Sequence, residues 1–156
     1  METTSTILEV LSDLLKINRD RVEGYKKASY NTTDPGLKAL LANMADQARK
    51  NVTDIMKEII QHHGNTEAAE ITNAGKLYGA WATFKNKFSG NSIKNILSLC
   101  ESREAAALHI YQKAKKKSFG VQLGRLIEQH ALSLKSSHEV IKVYRQAYTK
   151  VDKLHS

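Results

Sequence analysis

The residue in this chain whose type and setting most invite chemistry is Glu104. It stands in ILSLCESREAAALHIYQKA, residues 96–114, where Ile93, Leu97, Cys100, Ala107 and Tyr111 recur at helical spacing and form an apolar stripe with a carboxylate in its middle. Counting back from a helix–helix turn near residue 119 sets Glu104 level with about Leu134, one turn from both His130 and His138. A carboxylate and imidazoles that converge in an apolar interior can hold one divalent ion. Mixed oxygen and nitrogen donors suit Zn²⁺ or a similar metal, with Glu104 and His138 as ligands and His130 or Glu101 as candidates to complete the set. The same carboxylate can instead pair with His138, His130 or Lys135 as a buried contact that fixes helix register. It can also act as a pKa-shifted acid in a small-molecule pocket.

Helices must position these groups. The chain has 156 residues, a single proline, eight glycines and 41% apolar residues, which suits one all-α domain spanning residues 1–156. Period and punctuation delimit four long helices, at about 6–30, 35–63, 92–117 and 120–151. Thr6 and Glu9 have capping-box spacing at the first, with Leu8, Leu11, Leu15, Val22 and Tyr25 on one face. Asp34 before Pro35 opens the second, and Gly64 after His63 closes it. Residues 64–90 are too many for a hairpin link and include GKLYGAWATFKNKF, whose Leu77, Trp81, Phe84 and Phe88 share a helical face. Trp81 is expected to pack this segment onto the bundle. Two hairpins joined by one long crossover containing a short helix is the ferritin-like variant of the four-helix bundle.

A shift of 86 residues lays Leu11 on Leu97, Tyr25 on Tyr111, Ala28 on Ala114, Leu41 on Ile127, Ala45 on Ala131 and Ile55 on Ile141. One offset for both hairpins implies two halves related by a pseudo-twofold axis. Di-metal bundles of this kind place a Glu on each of two helices and Glu-x-x-His on the other two. Here Glu104 matches Asn18 in the first half, and Arg49 and Lys135 stand where bridging acids would be needed. Two cations held by one carboxylate would leave uncompensated charge in low dielectric, so a full di-iron site is not expected. The core polar network expected from these positions is Asn18, Glu104, Lys135 and His138.

The formal net charge is +8, yet acids lie between the basic residues along every helix. The densest run, KAKKKS at 113–118, ends a helix, where cations favour exposed carbonyls. It is either a solvated helix end or an anion or nucleic-acid patch through Lys115, Lys116 and Lys117, although no aromatic residues interleave with it. The single cysteine, Cys100, lies on the apolar stripe and reads as packing. No window approaches the ~20 apolar residues of a membrane span, so a cytoplasmic protein is expected. Phosphate loops, nucleophile elbows and CxxC pairs are absent from the sequence.

LSDLLKINRDRVEGYKKAS, DPGLKALLANMADQ, GAWATFKNKFSG, ILSLCESREAAALHIYQKA and LKSSHEVIKVYRQ resemble, in order and over nearly the whole chain, a family of bacterial ferritin-like four-helix proteins of unknown function. The resemblance implies a ferritin-like fold in a bacterial cytoplasmic protein and brings no established activity. It places the family's shared polar residues on Asp20, Glu23, Glu101, Glu104, Lys135 and His138. The leading expectation is a non-catalytic structural or stress-related binding protein without a cofactor, self-associating, most simply as a dimer. The alternative is a metal-binding protein or metal-dependent oxidoreductase with a single divalent ion near Glu104 and His138. Anion or nucleic-acid binding through the basic helix ends is the third.

Overall fold

A computed structural model describes residues 3–65 and 93–155, the side chains of residues 149 and 151–155 excepted. Its four long elements are all helical: α1 (Thr4–Asn31), α2 (Pro35–Gln61), α3 (Ile93–Lys115) and α4 (Val121–His155). The long connection between α2 and α3, with the short helix and Trp81 expected there, lies outside the described residues. No described helix is long and apolar enough to cross a membrane.

The helix ends show how local chemistry sets the boundaries. α1 is capped by Thr3, whose hydroxyl accepts from the Thr6 N–H at 3.2 Å, so the helix starts one turn before Thr6 could cap it. The Asp34 carboxylate accepts from the Gly36 N–H at 3.1 Å with Pro35 in the first turn, as the sequence suggests. At the other end of α2 the left-handed residue is His63 (φ 60°), not Gly64. The His63 N–H reaches the Ile60 carbonyl at 3.0 Å and the Gly64 N–H reaches that of Ile59 at 2.8 Å, the paired bonds of a Schellman ending.

Gly64 is required for a different reason. A Cβ there would lie 2.5 Å from Leu8 Cδ2 and 2.8 Å from Ile59 Cγ2. Gly64→Ala is therefore expected to lose about 1–3 kcal/mol through overpacking, and His63→Gly to gain about 1 kcal/mol by relieving the left-handed side chain. Urea unfolding midpoints check both, and shifts of equal sign would contradict the assignment.

Packing is most extensive within the pairs α1–α2 and α3–α4, less between α1 and α3, and sparse between α2 and α4. Cross-helix partners fix direction: Ser29 with Lys38, Tyr25 with Glu104, Lys115 with Glu128 and His130 with Asp54. Each pair is antiparallel, so α2 and α3 run parallel on one diagonal of a four-helix bundle and α1 and α4 on the other.

The interior stripe of α1 follows alternating steps of four and three residues through Ile7, Leu11, Leu14, Asn18, Arg21, Tyr25 and Ala28, all buried. Val22, expected on this face, is only half-buried, and Arg21 takes its place. The equivalent stripe of α2 passes through Leu37, Leu41, Met44, Ala48, Asn51, Ile55 and Glu58. Under the 86-residue shift, buried Leu11, Tyr25, Ala28, Leu41, Ala45 and Ile55 fall on buried Leu97, Tyr111, Ala114, Ile127, Ala131 and Ile141. Two apolar clusters result, one around Leu14, Ile55 and Ile127 and one around Leu41, Leu97 and Ile141. Polar side chains occupy the level between them.

Candidate functional site

Each helix sends polar groups inward at seven-residue spacing, which returns a helix to nearly the same face. α1 contributes Asn18, Arg21 and Tyr25; α2 contributes Gln47, Asn51 and Asp54; α3 contributes Glu104 and Tyr111; α4 contributes His130 and Ser137.

At the centre is a fully buried ion pair. The Arg21 guanidinium donates from Nε to Glu104 Oε1 at 2.7 Å and from Nη2 to Oε2 at 3.2 Å, with side chains 1% and 0% exposed. Tyr25 donates its hydroxyl to Oε1 at 2.6 Å, and the guanidinium also lies 5.8 Å from the Tyr25 ring centroid. Removing these charges from water costs several kcal/mol per ion, which only such multiple contacts can offset. Burial, the largest single influence, would lower the Arg21 pKa, but the Glu104 charge and hydrogen bond together with Tyr25 and Tyr111 outweigh it and the pKa is raised. Burial, followed by the Glu104 charge, pushes the Tyr25 pKa well above its ordinary value and keeps it a neutral donor.

Asn18 links this pair to a second group of side chains and uses all four of its hydrogen-bonding sites. Its Oδ1 accepts from Arg21 Nη1 at 3.0 Å and from Asn51 Nδ2 at 3.2 Å. Its Nδ2 donates to the Leu14 carbonyl and to the Tyr111 hydroxyl, both at 2.8 Å. The Tyr111 proton is then left for His130 Nδ1, 2.7 Å away, and His130 Nε2 lies 3.0 Å from Asp54 Oδ2. A neutral imidazole protonated at Nε2 satisfies every partner. Lys50 meets the same Asp54 oxygen at 3.1 Å at the surface.

The pKa directions follow from this arrangement. Burial lowers the His130 pKa against the opposing pull of Asp54. Burial would raise Asp54, but the hydrogen bonds from His130 and Lys50 hold it below its ordinary value. Burial, more than the hydrogen bond from Asn18 can offset, raises Tyr111. Cys100 beside the network is fully buried and its thiol is pushed up, first by burial and then by Glu104, which makes it an inert packing group.

Besides the two bonds from Arg21, α1 and α3 are joined by Tyr25 to Glu104 and Asn18 to Tyr111. The 86-residue shift exchanges them, since Asn18 maps onto Glu104 and Tyr25 onto Tyr111. The charges do not follow that symmetry. Asn18 stands where the other half has Glu104, and Ala107 stands where the first half has Arg21, which leaves one neutralised pair.

The structure places the sequence candidates as follows. Glu104 and His130 share the network but are separated by Arg21, Asn18 and Tyr111. Glu104 is held by Arg21 and Tyr25, both on α1, in place of the expected His138, His130 or Lys135, because its side chain points toward α1 rather than α4. Lys135 is exposed and His138 half-buried. Glu101 pairs across the α3–α4 surface with Arg145, and Asp20 lies 3.5 Å from Arg103. Lys115 pairs with Glu128 at 2.9 Å, while Lys116 and Lys117 are exposed. Among the described residues no three His, Cys, Asp or Glu side chains are grouped so that they could hold a metal ion. Sequence reasoning missed Arg21, Gln47, Asn51 and Asp54 and placed Tyr25 and Tyr111 inside only as stripe residues, although strict four-and-three spacing passes through Arg21 and Asn51.

A family model described as a domain of unknown function (DUF2383) matches residues 6–117, and the chain belongs to that family. The match covers α1, α2 and α3 and ends before α4, which supplies His130. No curated protein matches the chain.

Proposed function

We propose that the protein is a non-catalytic, ferritin-like structural bundle in which an arginine serves as the internal cation. The observation that carries this reading is the Arg21 guanidinium on both oxygens of Glu104. Ferritin-like bundles use interior carboxylates to neutralise bound divalent ions. Here the positive charge is covalently part of α1, and Asn18 removes the second carboxylate that a metal would need. The residues present do not fit a resident metal at Glu104, since an ion there would meet the guanidinium at contact distance. The parallel course of α2 and α3 supports the ferritin-like connectivity. Exposed Leu132, Val140 and Val143 on α4 support self-association.

Metal analysis of protein purified without chelator tests this reading. The expected result is no stoichiometric metal and no rise in thermal midpoint on adding Zn²⁺, Mn²⁺ or Fe²⁺. Stoichiometric metal that disappears in Glu104→Gln would overturn it in favour of a metal protein.

A further inference from the structure

Among the described residues, large apolar side chains are exposed at few places. Tyr30, Ile60 and Val121 stand at helix ends, whereas Leu132, Val140 and Val143 lie together along α4 and are 58%, 40% and 62% exposed. At about 100° per residue, Leu132, Ser136, Val140, Val143 and Ala147 fall within about 40° of one line that follows α4 for about four turns. All five are exposed, and the line runs nearly opposite the buried positions Leu123, Ile127, Leu134 and Ile141. A continuous uncharged line of this kind is the seam of a helix pair, unlike apolar residues scattered singly over a surface.

The groups beside the seam indicate what meets it. Lys135 and Glu139 lie along one edge, a helical turn apart; both are exposed and neither has an ion pair among the described residues. The other edge holds Ser133, Ser137 and Tyr144, all half-buried, with Ser137 hydrogen-bonded to Gln47 of α2. A twofold axis crossing the seam level with Ser137 would lay a second α4 antiparallel on the first and set like edges on the same side. Lys135 of each copy then comes level with Glu139 of the other. The same register sets Leu132 between Val140 and Val143 of the second copy and brings both Ser136 side chains close to the axis, where their small size lets the helices approach. A parallel pairing would set the charged edge against the serine edge and form no ion pair.

We propose that the partner of this face is a second copy of this chain, packed α4 on α4 antiparallel through Leu132, Ser136, Val140 and Val143, with two ion pairs between Lys135 and Glu139 fixing the register. The inference rests on the self-association proposed above and names its surface. One helix from each copy makes a small interface, below about 1,200 Å² in total, so the dimer is reversible.

Sedimentation velocity of the whole protein from micromolar to millimolar concentration tests it. A reversible monomer to dimer equilibrium is expected, and Val143→Glu should weaken it about tenfold or more by burying carboxylates in the seam. Lys135→Glu and Glu139→Lys should each weaken it several-fold. An equimolar mixture of those two variants, or the double variant, should restore it, because opposite charges again come level. These side chains are exposed, so the substitutions leave the fold in place. A monomer at every concentration would overturn this inference together with the self-association it rests on, and would leave the face to another segment of this chain or to a different protein. A dimer unaffected by Val143→Glu would overturn this inference alone, as would charge reversals that neither the mixture nor the double variant restores.

Discussion

Arg21→Leu is expected to lower the unfolding free energy by about 3–5 kcal/mol, because it leaves the Glu104 carboxylate buried without its cation. Glu104→Leu should cost a similar amount for the opposite reason, a guanidinium stranded at 1% exposure. The double variant Arg21→Leu/Glu104→Leu should recover more than half of either loss, since replacing both members of a buried pair by apolar groups is often near neutral. The recovery will not be complete. Tyr25 loses the acceptor of its hydroxyl and Asn18 loses one donor, and each unsatisfied group costs about 1–3 kcal/mol. Adding Tyr25→Phe should restore part of the remainder. Urea unfolding of the four proteins measures the cycle, and losses that simply add would show that the pair is not coupled.

The second large effect is a pH dependence that belongs to His130. Its folded pKa lies below the ordinary 6.5 because burial disfavours the imidazolium more than Asp54 favours it. Protonation would also give Nδ1 a hydrogen directed at a Tyr111 oxygen whose own proton already points that way. Lys50 and Arg21, on α2 and α1, oppose the added charge as well. Between the two pKa values the unfolded chain binds more protons than the folded one. The His130 contribution is therefore fully present above about pH 6.5 and is lost as pH falls through the lower folded value. Asp54, held below 3.8, behaves in the same sense further down, losing its contribution as the medium becomes more acidic than that. His130→Gln should flatten the midpoint-against-pH curve below about pH 6.5. At higher pH it should cost about 1–3 kcal/mol through the partners left unsatisfied. Parallel curves for the two proteins would remove His130 as the titrating group.

The sequence makes Glu104 conspicuous because a carboxylate interrupts an otherwise apolar stripe, and burial of that stripe follows from its period. Its partner is harder to see. A turn of known length joins α3 to α4, so their register can be counted, and the count leads toward His130 and His138. No such count relates α3 to α1, which belong to different hairpins. Arg21 was hidden further by the choice of Val22, its neighbour in sequence, as the interior residue. A rotation of one residue, about 100° around the helix, moves a valine in and an arginine out. The interior spacing of four and three residues would have resolved this, since it passes through Asn18, Arg21 and Tyr25 in turn. The 86-residue offset carried the rest of the information, because it equates Asn18 with Glu104 and Tyr25 with Tyr111, and the contacts across α1 and α3 join these four crosswise, Asn18 to Tyr111 and Tyr25 to Glu104. The left-handed conformation at His63 had no comparable signal, since Gly64 next to it is the residue that composition would select.

The placement of the two charges in different hairpins also bears on which halves can associate. Arg21 and Glu104 are 83 residues apart, one in each half of the duplicated pattern. Two copies of the first hairpin could imitate the bundle, since the 86-residue offset matches buried residues of the two halves, but they would bring one guanidinium against another in an apolar interior. Two copies of the second would oppose two carboxylates. Only one of each gives a neutral centre. Asn18 and Ala107, the residues that break the 86-residue match, thus favour the pairing of unlike halves over identical ones.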